Sequence, residues 1–365
     1  MKIRSTYLLA TIIILATSLH SCKLGRYVFY NFADIKDYKK FPSRPLEASK
    51  EPFQFHRPDT GKAPKTVNNQ PFDEFLEDNK TVAYLIIQHD TVQYEKYFRG
   101  YDHESIVPSF SMAKSVTSIL IGIAIDEGKI QSVNEPITNY IPELKPKGFD
   151  SVTIEHLLQM TSGIDYNESY VNPFGDAASF YYGRNLRKEI EKMKLEVAPG
   201  TRFEYTSGTT QLLGLVLERA IKDKTITEYL QEKLWTPLGM EYDASWSIDK
   251  KKNGLEKTFC CLNARARDFA KIGRLYKNNG VWDGKQLVPS DWVETSTKVD
   301  TTNGSEKNYQ YQWWQPNPGE DFSAEGILGQ YVYVHPEKDL IIVRLGKNYG
   351  KTSWKSIFTE TAKLY

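Results

Sequence analysis

Ser111 and Lys114 stand three residues apart at the head of the apolar stretch Met112–Gly128. Met112, Val116, Ile119, Leu120 and Ile123 recur at helical spacing, and Gly128 offers a stop, so the spacing predicts a buried helix with a polar first turn. Residues three apart share a helix face. At that end the free N–H groups and the helix dipole favour developing negative charge. A serine hydroxyl is a weak nucleophile until a base takes its proton. A lysine one turn away can be that base if burial keeps it neutral part of the time. The bland alternatives are a helix N-cap for Ser111 and a snorkelling surface charge for Lys114. The spacing alone is common, and a second copy, Ser247-Ile-Asp-Lys250, runs into Lys251-Lys252-Asn253-Gly254, which reads as a solvated loop.

Two downstream stretches add weight. Ala198-Pro-Gly-Thr-Arg-Phe-Glu-Tyr205-Thr-Ser207-Gly208 places a tyrosine and a serine before a second apolar helix, and Gly326-Ile-Leu-Gly-Gln330 leads into a strand. Acyl transfer needs one proton removed from the nucleophile and one delivered to the leaving group. A lysine and a tyrosine can share those tasks if each lowers the other's pKa. Read alone, Tyr205 would be an interfacial aromatic with a satisfied hydroxyl.

In this order and spacing, the motifs resemble the serine β-lactamase-like superfamily: penicillin-binding proteins, class C β-lactamases, related carboxylesterases and the 6-aminohexanoate-dimer hydrolases. The resemblance runs from about residue 72 to the C-terminus and includes Leu157-Leu-Gln-Met-Thr-Ser-Gly163 and Leu262-Asn-Ala-Arg-Ala-Arg-Asp268. It implies Ser111 as acyl-accepting nucleophile, Lys114 as its base, Tyr205 as proton relay, and the backbone N–H groups of Ser111 and Ile327 as oxyanion hole. Ser207 stands where many relatives carry asparagine. Where β-lactamases and DD-peptidases carry Lys-Thr-Gly or His-Thr-Gly, this chain has Ala324-Glu325-Gly326. That removes the cation for a substrate carboxylate, and a glutamate facing the cleft would repel one. The Gly-x-x-Gly-Gln form is similar to the 6-aminohexanoate-dimer hydrolase and family VIII carboxylesterase branch. Ser207, Glu325, Gly326 and Tyr170 are the expected substrate contacts.

The elements that must hold these residues follow from patterning. Thr81–Gln88 and Thr91–Phe98 read as two strands around the turn His89-Asp90. Tyr309–Trp314, Gly329–His335 and Leu340–Leu345 read as strands, and Ser353–Tyr365 as a closing helix. Between them lie helices at 152–160, 209–220, 226–234 and 262–276. The aromatic segment 167–185, containing Tyr170, Phe174, Phe180, Tyr181 and Tyr182, reads as a long irregular loop of the kind that covers active sites. The expected architecture is α/β: an antiparallel sheet built from both termini and flanked by helices, with a mainly helical subdomain inserted at about 130–285.

The N-terminus reads as a targeting segment. Lys2 and Arg4 precede the apolar run Tyr7–Ala16, too short to span a bilayer, and Leu19-His-Ser-Cys22 resembles a bacterial lipoprotein signal. Residues 1–21 would be removed, Cys22 lipidated, and residues 22–70, rich in lysine and proline without a sustained period, would tether a domain at 71–365. This places the protein in the bacterial cell envelope, with a membrane as partner.

The 365 residues carry a formal net charge of +1, which becomes −1 without Lys2 and Arg4, and no basic block points to nucleic acid. The six histidines are scattered without ligand spacing, so neither metal nor cofactor is expected, and His156 reads as a structural helix residue. Cys260 and Cys261 are adjacent, read as small buried residues without a disulfide. The expected activity is hydrolysis of a small-molecule ester or amide through an acyl-enzyme. The rivals are a DD-peptidase or β-lactamase, and a non-catalytic envelope binding protein. Oligomeric state is not legible.

Overall fold

The computed structural model describes residues 23–30 and 32–365; the expected signal segment and Cys22 lie outside them. In chain order the elements used below are α1 (Lys23–Tyr30), β1 (Ser43–Leu46), α2 (Phe72–Asp78), β2 (Thr81–Gln88), β3 (Thr91–Tyr97), β4 (Val107–Pro108), α3 (Met112–Asp126) and α4 (Ile154–Leu158). Then follow α5 (Asp176–Tyr182), α6 (Ser207–Ile221), β5 (Ala244–Ser247), β6 (Leu262–Ala264), α7 (Ala266–Lys277), β7 (Tyr309–Gln310), β8 (Trp313–Trp314), β9 (Phe322–Gly326), β10 (Gln330–His335), β11 (Leu340–Gly346) and α8 (Trp354–Ala362).

A seven-stranded antiparallel sheet runs β7-β8-β9-β10-β11-β2-β3, joining both ends of the chain as the sequence predicts. β2 and β11 are buried along nearly their whole length because helices cover both sheet faces. On one face Phe75, Trp354 and Phe358 of α2 and α8 pack on Tyr84, Ile86 and Ile342. On the other, α7 lies so close that a Cβ on Gly273 would sit 2.9 Å from both Ile341 and Val332 side chains. The β2–β3 turn uses His89 and Asp90 at φ 49° and 54°, as a two-residue hairpin turn requires. Asp90 is held by Arg274 and Lys277 of α7.

Several expectations shift. The segment 23–70 is packed rather than a free tether. β1 pairs with β5, Arg44 reaches the buried Glu256 at 2.7 Å, and the Tyr27 ring stands edge-on to Tyr182. Strand pairing and ring contacts of this kind are non-local and leave no period in the sequence. β5 belongs to a second antiparallel sheet, β1-β5-β6-β4. Residues 262–264, expected to open a helix, are its strand β6, because pairing with β4 and β5 outweighs helix propensity. Ser247 is therefore buried, its hydroxyl accepting from Asn263 Nδ2 at 3.1 Å, and not part of a solvated loop. The expected insertion limit near 285 falls earlier, since α7 packs on the main sheet. The strand expected at 309–314 is two strands folded back at Tyr311 and Gln312, both at positive φ. Buried Gln312 has its side chain on the carbonyls of Leu157 and Leu158 and on Thr210. Cys260 and Cys261 form a disulfide with each other, contrary to the sequence reading.

Candidate active site

The position of Ser111 is set by the turn into α3. Phe110, at φ 44°, takes a conformation costly for a non-glycine residue and directs the chain into the helix at Ser111. Ser111 sits at the N-cap, yet its side chain caps nothing. Instead Lys114 Nζ lies 3.3 Å from Ser111 Oγ. The remainder of α3, from Met112 to Ala124, is buried, which fixes the lysine stem.

Lys114 is 1% exposed. Its Nζ also contacts Ser207 Oγ at 3.2 Å and the Phe259 carbonyl at 3.0 Å. Burial lowers its pKa to about 8, against the opposing pull of the Glu168 carboxylate. The three neighbours match an ammonium's three donors. On deprotonation, two hydrogens can stay with Ser207 and Phe259 while the lone pair faces Ser111.

Tyr205 stands across the site. Its ring lies 5.1 Å from Lys114 Nζ. Burial pushes its pKa far above the ordinary phenol value, an effect that the neighbouring Ser111 hydroxyl offsets only in part. The two groups therefore do not lower each other's pKa, as the sequence suggested. Burial thus favours the neutral amine at Lys114 and the neutral phenol at Tyr205.

Ser207 opens α6 and bridges Lys114 to an acid that sequence reasoning missed. Glu168 accepts from Ser207 Oγ at 2.6 Å and from Ser207 N–H at 2.7 Å. A carboxylate here complements the positive end of α6. Tyr170 donates to the same carboxylate. The only signal was position: Glu168 lies in the segment expected to cover the site, and only the aromatics of that segment drew attention. Ser207 is shorter than the asparagine that many relatives carry there, yet its Oγ meets Lys114 Nζ directly.

β9 brings Gly326 against the start of α3. A Cβ there would lie 2.3 Å from the Ser109 carbonyl and 3.2 Å from Ser111 N, so only glycine permits this approach. It sets Ile327 beside Ser111, and neither N–H has an acceptor among the described residues.

Glu325 differs from expectation. Its carboxylate accepts from Ser323 Oγ at 2.8 Å and pairs with Lys355 of α8 at 3.2 Å. It is not among the residues lining the cleft. Burial raises its pKa and Lys355 opposes this. The sequence could not reveal Lys355, thirty residues away and on another element.

The cleft is a cavity of about 300 Å³ lined by Ser111, Ser207, Ile327 and Tyr170 together with apolar side chains such as Phe110 and Tyr182. Among the described residues no charged side chain lines it. A larger groove of about 1060 Å³ lies between residues 45–53 and 228–239, away from Ser111 and Lys114. His156 caps α4 with Thr153, a structural role as expected. Among the described residues no His, Cys, Asp or Glu group could hold a metal.

The chain is 30% identical over 294 residues to the 6-aminohexanoate-dimer hydrolase of Paenarthrobacter ureafaciens, covering 75% of this chain and 74% of that protein. A putative 6-aminohexanoate-dimer hydrolase from Bacillus anthracis superposes with TM-score 0.79 at 24% identity, over 93% of this chain and 94% of the other. A family VIII carboxylesterase structure has TM-score 0.64 at 17% identity, over 80% of this chain and 95% of the other. The family model described as Beta-lactamase matches residues 69–353, a span that holds Ser111, Lys114, Tyr205 and Gly326, and the chain belongs to that family.

Proposed function

We propose that the protein is a serine hydrolase that cleaves a neutral ester or amide through an acyl-enzyme on Ser111. The observation that carries this is the buried Lys114 amine, 3.3 Å from Ser111 Oγ with a pKa lowered to about 8. Neutral Lys114 takes the Ser111 proton as Oγ attacks the carbonyl carbon. The oxyanion forms against the N–H groups of Ser111 and Ile327. Tyr205 passes a proton to the leaving alkoxide or amine and is reprotonated from Lys114. Water then attacks the acyl-enzyme by the same relay in reverse, releasing the acid. Among the relatives, the 6-aminohexanoate-dimer hydrolase is named for an amide substrate, which fits this chemistry.

The DD-peptidase or β-lactamase reading is disfavoured. Where such an enzyme holds the substrate carboxylate, Ala324 offers nothing and Glu325 is committed to Lys355. A purely binding protein would have no use for a buried base aimed at a serine. Turnover of short neutral esters and linear amides, compared with nitrocefin and D-Ala-D-Ala peptides, tests the reading. Activity confined to the last two substrates would overturn it.

We also infer export and lipid anchoring through Cys22. The support is the run Tyr7–Ala16 followed by Leu19-His-Ser-Cys22; among the described residues no helix is long and apolar enough to cross a membrane. Detergent partitioning of wild type and Cys22→Ser tests this; identical partitioning would contradict it.

A further inference from the structure

The described residues hold eight exposed large hydrophobic side chains, and most of them gather at one place. Tyr170 and Tyr349 line the cleft itself; Val171, a further lining residue, is 70% exposed, and Phe32, likewise, is 59% exposed. Phe174, 78% exposed, lies on the same loop as Tyr170 and Val171. Phe29, 59% exposed, lies on α1, and Tyr27 of α1 donates to the Val171 carbonyl at 3.0 Å, joining helix and loop into one rim. Single exposed apolar residues are ordinary, but a clustered aromatic rim around a cleft mouth is not.

We propose that this rim is a lipid-docking surface, so that the cleft opens onto the membrane and takes apolar neutral substrate dissolved in it. Two observations select lipid as the occupant. α1 begins one residue after Cys22 and follows the apolar run Tyr7–Ala16, and its eight residues span only about 12 Å. Whatever membrane attachment that segment makes is therefore within one short helix of Phe29. The rim is also continuous with a cavity that no charged side chain lines among the described residues, which suits an apolar substrate leaving a lipid phase. Aromatic side chains settle at the interface between water and lipid, and two signals together hold a protein there where one does not. The proposal rests on the hydrolase reading for what passes the mouth, and not for the docking.

The test uses the full chain bound to phosphatidylcholine vesicles that contain a spin-labelled lipid. An environment-sensitive fluorescent amino acid replaces Phe174 in one protein and, in another, Lys285, which is exposed in a hairpin outside the cleft wall. Docking predicts quenching at position 174 at least about twofold stronger than at 285. Equal quenching, or failure of the chain to bind vesicles, overturns the proposal. A second measurement compares wild type with the double variant Phe29→Ser, Phe174→Ser. Its kcat/KM should fall at least about fivefold for an ester dissolved in the vesicles and stay unchanged for a water-soluble short ester. An equal effect on the two substrates contradicts the docking role. Strong quenching in the protein labelled at 174, with a wild type that hydrolyses neither ester, refutes the hydrolase reading alone.

Discussion

The Glu168 carboxylate lies 2.6 Å from the Ser207 hydroxyl, and that same hydroxyl lies 3.2 Å from Lys114 Nζ. An acid and the candidate base are thus coupled through one serine. Glu168 favours the ammonium and burial disfavours it, and burial prevails. The balance sets how much of the base is free near neutral pH.

A pH profile reads this balance. Because only neutral Lys114 can accept the Ser111 proton, kcat/KM for a neutral ester should rise with pH through about 8 and then level off. Glu168→Gln removes the charge that holds the proton on Lys114, so the rising limb should move to lower pH. An unmoved limb, or one moved upward, would show that Glu168 does not act on the lysine.

Tyr205 should remain a phenol across that range, since burial raises its pKa far above the ordinary value. Tyr205→Phe should lower kcat by about 10²- to 10⁴-fold, the usual worth of a positioned proton donor, while leaving the limb set by Lys114 in place. A phenolate absorbance from Tyr205 appearing below pH 9, followed against the Phe variant, would contradict this assignment.

Gly326→Ala should damage both stability and chemistry. The added methyl would lie 2.3 Å from the Ser109 carbonyl, and relieving that contact pushes β9 away from α3. Overpacking of this kind costs about 1–3 kcal/mol, read from chemical denaturation. Misplacing the Ile327 N–H should lower kcat by about 10²- to 10³-fold. Wild-type kcat in a folded Gly326→Ala protein would remove Ile327 from the oxyanion hole.

The Glu325–Lys355 pair gives a charge prediction with a definite sign. Glu325→Gln leaves the Lys355 cation unpaired beside the site, so kcat/KM for a carboxylate-bearing ester should rise relative to its methyl ester, by a factor of about 2–5 at low ionic strength. Equal changes for both esters would place the pair out of the substrate's reach.

Strands β2, β3, β10 and β11 were legible because they are long apolar or alternating runs, the first two joined by a clear turn at His89-Asp90. The serine, lysine and tyrosine were legible because each opens or precedes a long apolar helix. What escaped was written in contacts between distant residues. Lys355 neutralises Glu325 from another element, Glu168 reaches Ser207 from a loop, and 23–70 folds onto the domain by strand pairing and ring contacts. None of these has a period or a spacing. The strand Leu262–Ala264 was hidden for a related reason: three residues of sheet run directly into a strongly amphipathic helix, and the helix pattern dominates the window.

The central claim, that Ser111 is the nucleophile, is tested most directly by fluorophosphonate labelling followed by peptide mass mapping. The label should be found on Ser111 alone and not on Ser247, and Ser111→Ala should lose both labelling and ester turnover while keeping its fold, because one hydroxyl is all that changes. A label on Ser247 or any other serine, or turnover surviving in Ser111→Ala, would contradict the account.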